Sequence, residues 1–384
     1  MNYRNAAAAE LVLIMFVGCT ANHPSAGAPA SSVAGPASGL TAERSNNKHC
    51  PDADGGVHFV DGGLQFIDGG VQFIDGGLQF VDGGTGGCAG ESAVVGPYLM
   101  PQPLTRSACA SFHDGHIYCF GGLPALPAQQ FLDFDPATQQ VSVRSAPDLP
   151  GGFSFSCVTQ PDRITCVGGA PLIGGQPKAA FEIDPLTGSL TSQQLGLDRT
   201  DLRCALAGNG GIYCLGAVQD DAEILRYDFT SNTFTLMNAA VPPHGAGVDC
   251  YPLPSGHLGC LIQVSTPDGS ALRAIDYDPV GDTLSMRAAT FTPGRSGFSC
   301  AKEQSGLVLC GGGNISSGVV PELNDIFTYD PEADSFALRP VTWPTKIEMQ
   351  AAAAGGDGRI YAFGGFRAPS TSFELVLRYT PPCP

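Results

Sequence analysis

The sequence predicts an all-β chain built from six similar units, each made of two β-hairpins. Three observations carry that prediction: an Asp-Pro hairpin signature that returns about every 50 residues, five cysteine pairs at one spacing, and a composition rich in turn residues. Of 384 residues, 51 are Gly and 31 are Pro, while 43% are hydrophobic and only 14% charged. Gly and Pro together make about a fifth of the chain, below the level of disordered sequence, and the apolar fraction suffices for a core. A repeat near 50 residues belongs to solenoids and propellers.

At the start of the chain, Arg4 precedes an apolar run from Leu11 to Val17 and then Gly18-Cys19. That run is too short to span a bilayer, and a short apolar core ending in small residues reads as a secretory signal. The tetrapeptide Phe16-Val17-Gly18-Cys19 resembles the bacterial lipobox, with Phe16 where Leu is usual. The resemblance implies removal of residues 1–18 and acylation of Cys19. A plain cleaved signal with an incidental Cys19 is the alternative. The expected location is the outer membrane or cell surface, otherwise the periplasm or medium, where cysteines stay oxidised.

Residues 19–53 are an Ala/Ser/Pro/Gly-rich tether without periodicity. A seven-residue repeat occupies 54–87, beginning Asp54-Gly55-Gly56-Val57-His58-Phe59-Val60 and returning from Asp61, Asp68 and Asp75. Each unit is a turn signal followed by strand-like residues, which fits a small meander or a spacer. Carboxylates seven residues apart, with no closing Glu, do not match a calcium loop.

The body, 93–384, carries the hairpins. Apolar pairs seven residues apart enclose Asp-Pro or a related turn at Phe134 and Val141, Ile183 and Leu190, Tyr227 and Phe234, Tyr277 and Leu284, and Tyr329 and Phe336. Tyr379 begins a sixth copy. Pro presets φ at the turn and the later Gly, Asn or Asp tolerates the left-handed region. These are the third and fourth strands of each unit.

Upstream of each lies another hairpin, marked by Cys109 and Cys119, Cys157 and Cys166, Cys204 and Cys214, Cys250 and Cys260, and Cys300 and Cys310. Each pair straddles turn residues such as Asp114-Gly115 or Asn209-Gly210. Residues placed symmetrically about a hairpin turn face each other across antiparallel strands, within disulfide reach. Each bridge closes a loop of about ten residues, worth about 2–3 kcal/mol in the chain-entropy model. The sixth unit has Ala352 and Ala362 in these places.

The run from Leu99-Met100-Pro101 through Ser107-Ala108-Cys109 to Gly115-His116-Ile117-Tyr118-Cys119-Phe120-Gly121-Gly122 resembles the Kelch repeat, as does Asp357-Gly358-Arg359-Ile360-Tyr361-Ala362-Phe363-Gly364-Gly365. Gly168-Gly169 and Gly311-Gly312 supply the diglycine of two more units, whereas units three and four read Leu215-Gly216-Ala217 and Leu261-Ile262-Gln263. The family's usual Trp is replaced by Val, Leu or Phe at the hairpins. The resemblance implies a six-bladed Kelch-type β-propeller with four antiparallel strands per blade. Because the sixth copy lacks a fourth strand, the segment Val94–Leu99 is expected to close the ring by pairing with Leu375–Tyr379. Cys88 and Cys383 then flank the junction and are expected to bridge, with Cys50–Cys88 as the competing pair.

The resemblance further implies that ligands meet the loops between second and third strands, near Leu123–Gln130, Ala170–Lys178, Ala217–Glu223, Gln263–Ala271, Asn314–Asn324 and Phe366–Ser372, and the connections between blades. Those connections carry Arg106, Arg199, His244, Arg295 and Lys346. Converging on one mouth, they would hold a carboxylate or phosphate, as on an acidic sugar; otherwise they bond neighbouring blade backbones. The formal charge of −17 argues against nucleic acid and against anionic membrane surfaces, so the membrane is met only through a lipid anchor. His113 and His116 sit at the opposite turn, so neither a metal nor any cofactor is expected. The loop carboxylates Asp220, Asp221, Glu223, Asp268, Glu322 and Asp325 form no evident catalytic pair. The expected function is a monomeric surface binding module for a glycan, peptide or protein. Two alternatives stand: a sugar enzyme, as in Kelch propellers that epimerise sialic acid, and a scaffold without a small ligand.

Overall fold

The computed structural model describes residues 90–382, apart from 124–129, 171–178, 196–201, 217–222, 246–247, 268, 316–322 and 368–370, together with four strands between 57 and 80. Within 90–382 the chain forms six four-stranded antiparallel sheets arranged as a ring, a six-bladed β-propeller.

Blade 1 shows the plan. Its strands Ala108–Ser111, Ile117–Phe120, Gln130–Asp135 and Gln140–Ser145 follow one another outward from the axis. The innermost strands of blades 2 to 6 are Phe153–Thr159, Leu202–Leu206, Val248–Pro252, Ser299–Lys302 and Ala351–Ala354. Each innermost strand neighbours the next, and that of blade 6 neighbours that of blade 1, so the ring is closed.

Burial follows position in the blade. The second strand, Ile117–Phe120 in blade 1, is buried throughout, while the fourth, Gln140–Ser145, is mostly exposed. A second strand is covered on both faces by neighbouring blades and so reads as continuous apolar sequence. The core accordingly lies between blades. Six hydrophobic clusters fill the six interfaces: Phe120 and Phe131 of blade 1 pack on Phe155 and Phe181 of blade 2, and Phe134 packs on Tyr361 and Phe363 of blade 6. The rings meet edge-on, 5.5 Å apart for Phe120 and Phe181 and 4.7 Å for Phe134 and Tyr361, the geometry aromatic quadrupoles favour.

The outer hairpins have the expected register. Phe134 pairs with Val141, Ile183 with Leu190, Tyr227 with Phe234, Tyr277 with Leu284 and Tyr329 with Phe336. Their turns place Gln139, Gly188, Asn232, Asp282 and Asp334 at φ between 49° and 73°. In blades 3 to 5 a tyrosine hydroxyl holds that turn residue: Tyr227 donates to Asn232 at 3.1 Å, Tyr277 to Asp282 at 3.0 Å and Tyr329 to Asp334 at 2.9 Å. The held side chain then reaches the preceding blade, where Asp282 accepts from the Asn238 backbone N–H at 2.8 Å and Asp334 from that of Ala288 at 2.8 Å.

All five cysteine pairs are disulfide-bonded and directly opposed in register between first and second strands, with Cα–Cα distances of 3.9–4.1 Å. Ala352 and Ala362 face each other at the same place in blade 6. The segment Ser92–Leu99 supplies the outer strand of blade 6, pairing with Leu375–Thr380. Thr380 lies opposite Ser92; Cys88 and Cys383 fall outside the described residues.

Two expectations need correction. The diglycine of blade 5 is Gly312-Gly313, at φ 69° and 89°, not Gly311-Gly312. Gly311 ends the second strand, where a Cβ would come within 2.3 Å of Trp343 Nε1, so the glycine there makes room for the indole. The segment Gln263–Ala271 is not an open loop. The strands Leu258–Thr266 and Gly269–Asp278 stay paired as far as Thr266 opposite Gly269, because alternating apolar residues continue the ladder.

The seven-residue repeats form a separate four-stranded antiparallel meander of Val57–Val60, Gly63–Phe66, Val71–Ile74 and Gly77–Phe80.

Candidate functional site

The diglycines shape one mouth of the central channel. After the second strand they carry the backbone through positive φ, so that Gly122 N–H reaches Gly152 O, Gly313 N–H reaches Ile347 O and Gly365 N–H reaches Leu104 O. Each bond pins the connection leading into the following blade. Three residues before the first Cys position, that connection turns left-handed at Arg106, Ser154, Gly297 and Met349, with φ between 55° and 65°. These residues bond head to tail around the mouth: Met349 N–H to Gly297 O at 2.7 Å, Arg106 N–H to Met349 O at 2.9 Å and Ser154 N–H to Arg106 O at 2.8 Å. A run of non-glycine residues at positive φ marks a backbone held by its surroundings.

Below this rim lies a cavity of about 310 Å³ on the propeller axis. Its floor is the ring of innermost-strand cysteines, Cys109, Cys157, Cys204, Cys250 and Cys300, completed by Ala352. The walls are polar. Arg106, Arg203 and Asp249 are the charged residues lining it, joined by Ser107, Ser154, Ser156, Ser296, Ser299 and Gln350. A size near the lower end of ligand pockets, with a few convergent polar groups, suits one small polar molecule or a single protruding group of a larger one.

Arg203 and Asp249 occupy the same place in blades 3 and 4, immediately before the first cysteine of the pair; Ala108, Ser156, Ser299 and Ala351 occupy it in blades 1, 2, 5 and 6. Asp249 accepts backbone N–H bonds from Cys250 at 3.0 Å and from Cys300 of the next blade at 2.6 Å. Ser156 makes the corresponding link, accepting from Cys204 N–H at 2.7 Å. Burial pushes the Asp249 carboxyl up to about 6, against the attraction of Arg203 and the two N–H groups. Three lining residues each carry a buried side-chain atom without a partner in the protein, Ser107 Oγ, Ser299 Oγ and Gln350 Oε1, none of which presents surface to the cavity. Gln350 is 6% exposed, and its amide N–H donates to Gly311 O at 2.7 Å, which turns Oε1 into a fixed acceptor.

Of the basic residues expected at the mouth, four are described, and among these Arg106 is the one that lines the cavity. Its guanidinium lies 5.9 Å from the Phe153 ring centre, with Nε 3.3 Å from Met349 Sδ. Arg295, 1% exposed, turns into blade 5. It pairs with Asp325 through both terminal nitrogens at 2.6 and 3.0 Å and lies 5.0 Å from the ring centres of both Phe291 and Phe327. His244 is buried, with Nδ1 3.0 Å from Gly245 O, and Lys346 is exposed away from the cavity. Arg199, and the carboxylates Asp220, Asp221, Asp268 and Glu322, lie outside the described residues. On another part of blade 1, His116 Nδ1 lies 2.7 Å from Asp133, whose other oxygen faces Arg144 at 3.5 Å. Among the described residues no group of three His, Cys, Asp or Glu is placed to hold a metal ion.

No protein-family model matches the sequence, and no curated protein matches it. The class that the fold and site define is a six-bladed, cystine-pinned β-propeller with a polar axial cavity.

Proposed function

We propose that the chain is an exported, Kelch-type binding module, anchored through Cys19 and a 19–53 tether, that takes a small anionic group of its ligand into the axial cavity. The observation that carries this reading is the convergence of Arg106 and Arg203 on one polar cavity in an otherwise acidic protein. Guanidinium groups suit carboxylates and phosphates through paired, directed N–H donors. Export is supported by five disulfides, which persist in oxidising compartments. Loops on the rim add contacts to the remainder of the ligand, as a glycan or peptide would offer.

The test is calorimetry of the oxidised protein against glucuronate and glucose, with Arg106→Ala and Arg203→Gln beside the wild type. The expected result is binding of the acid at least tenfold tighter than that of the neutral sugar, and loss of that preference in both variants. Equal affinity for the two sugars would remove the reading. Turnover of the acid would instead favour the enzyme, and partner capture without any response to small molecules would favour the scaffold.

A further inference from the structure

Resting on the binding reading above, we infer that Asp249 is a specificity residue that takes an ammonium group, so that the cavity's ligand carries an amino group beside its anionic one. Four observations lead there. The cavity holds one carboxylate, Asp249, and the cations Arg203 on the adjacent blade and Arg106 at the rim of blade 1, directly opposite blade 4 in the ring of six. A purely anionic ligand is served by the arginines but repelled by Asp249. A purely cationic ligand meets the reverse. A zwitterion satisfies both signs at once.

The blade-to-blade link does not require a charge at this position. Ser156 makes the same link in blade 2 with a hydroxyl, so the carboxylate of Asp249 is more than the architecture needs. The third observation is Gln350, a lining residue whose amide N–H is already spent on Gly311 O, which leaves Oε1 as an acceptor. Finally, Ser299, Gln350 and Ser107 make the wall formed by blades 5, 6 and 1 polar without charge. The site is therefore charged on one side and hydrogen-bonding on the other, the distribution that fixes the orientation of an amino acid or of an amino-bearing sugar acid.

The experiment is calorimetry and thermal shift on the oxidised full chain with L-glutamine and with its N-acetyl derivative, which keeps the carboxylate and loses the positive charge. The wild type is expected to bind the free amino acid at least tenfold tighter than the acetylated one, with weaker binding at pH 5 than at pH 7.5. Two variants, Asp249→Asn and Asp249→Ser, should lose the preference and the pH dependence. The serine variant keeps the backbone acceptor on the pattern of Ser156, so a folded protein is available for the measurement. Equal binding of both probes, still abolished by Arg203→Gln, would overturn the assignment of Asp249 while leaving the cavity as an anion site. Absence of binding by either probe while glucuronate binds would also overturn it. No binding of glutamine, its acetyl derivative or glucuronate would sink the cavity reading itself, and the assignment with it.

Discussion

Tyr379 donates its hydroxyl to Glu91 Oε1 at 2.7 Å, across the seam where the two ends of the propeller meet. The same carboxylate oxygen takes Arg339 Nε of blade 5 at 2.6 Å. In blades 3 to 5 the tyrosine at this place holds the Asn or Asp of its own outer turn, which then reaches the preceding blade. Blade 6 has no such turn, because its outer strand comes from the other end of the chain. Glu91 does the work of the missing residue, held by the blade 6 tyrosine and bonded to blade 5. Replacing Glu91 with Ala is expected to cost about 1.5–3 kcal/mol, since it strands a partly buried hydroxyl and a guanidinium. In a urea-denaturation double-mutant cycle with Tyr379→Phe, the two changes should couple by at least about 0.5 kcal/mol; additive effects would contradict the latch.

Blade 6 lacks a staple, and its geometry accepts one. Ala352 and Ala362 are paired in the register that the cysteines occupy in the other five blades. The double substitution Ala352→Cys and Ala362→Cys is expected to oxidise within blade 6 and to raise stability by about 2–3 kcal/mol, as a ten-residue loop should. Peptide mapping after alkylation, with urea midpoints, checks both parts; alkylated cysteines at positions 352 and 362 would contradict the register.

Gly364 sits at φ 63°, and a Cβ there would lie 2.0 Å from Leu104 O. Gly364→Ala must therefore displace the connection into blade 1 and the rim that follows it. A loss of more than about 2 kcal/mol is expected, from strain and from the broken contact together. Gly90→Ala, where nothing lies within 4 Å, serves as the control and should stay within about 0.5 kcal/mol. Similar small effects at both sites would show that the diglycine does not pin the rim.

Asp249 gives a signed pH dependence. Its folded-state value is raised from 3.8 to about 6 by burial. Between about pH 4 and pH 6 the folded protein therefore keeps a proton that the unfolded chain has released. The contribution of this group to stability is fully present below the unfolded value and falls as pH rises through the window, by up to about 3 kcal/mol. Asp249→Asn should remove that component, so the difference between variant and wild type in urea midpoint should grow from pH 4 to pH 6.5. A difference that stays constant across the window would contradict the burial of this charge.

The fold was readable because its signals are local. Cysteines placed symmetrically about a turn, and an apolar residue seven positions before its apolar partner, report the register of a single hairpin without knowledge of any other. The closing strand was readable from a count, since one hairpin was a strand short. The site was not, because it exists only where six connections converge. Arg295 stands two residues earlier in its connection than Arg106 does, at the place of the buried Leu104 and Ile347, and Asp325, 30 positions away in sequence, draws it into blade 5. Arg203 and Asp249 carried a weaker mark, a charge directly before the cysteine of an innermost strand, where Ala and Ser stand in the other blades. Only the alignment of blades around the axis shows that this position faces a cavity. The frame error at Gly311 has a similar origin: three successive glycines are indistinguishable until Trp343 fills the space over the first.

The most direct test is non-reducing peptide mapping of the oxidised protein after blocking free thiols. The expected links are Cys109 with Cys119, Cys157 with Cys166, Cys204 with Cys214, Cys250 with Cys260 and Cys300 with Cys310, and the same digest assigns Cys88 to Cys383 or to Cys50. Bridges joining different blades, or alkylated cysteines at these ten positions, would contradict the ring of pinned inner strands on which the cavity depends.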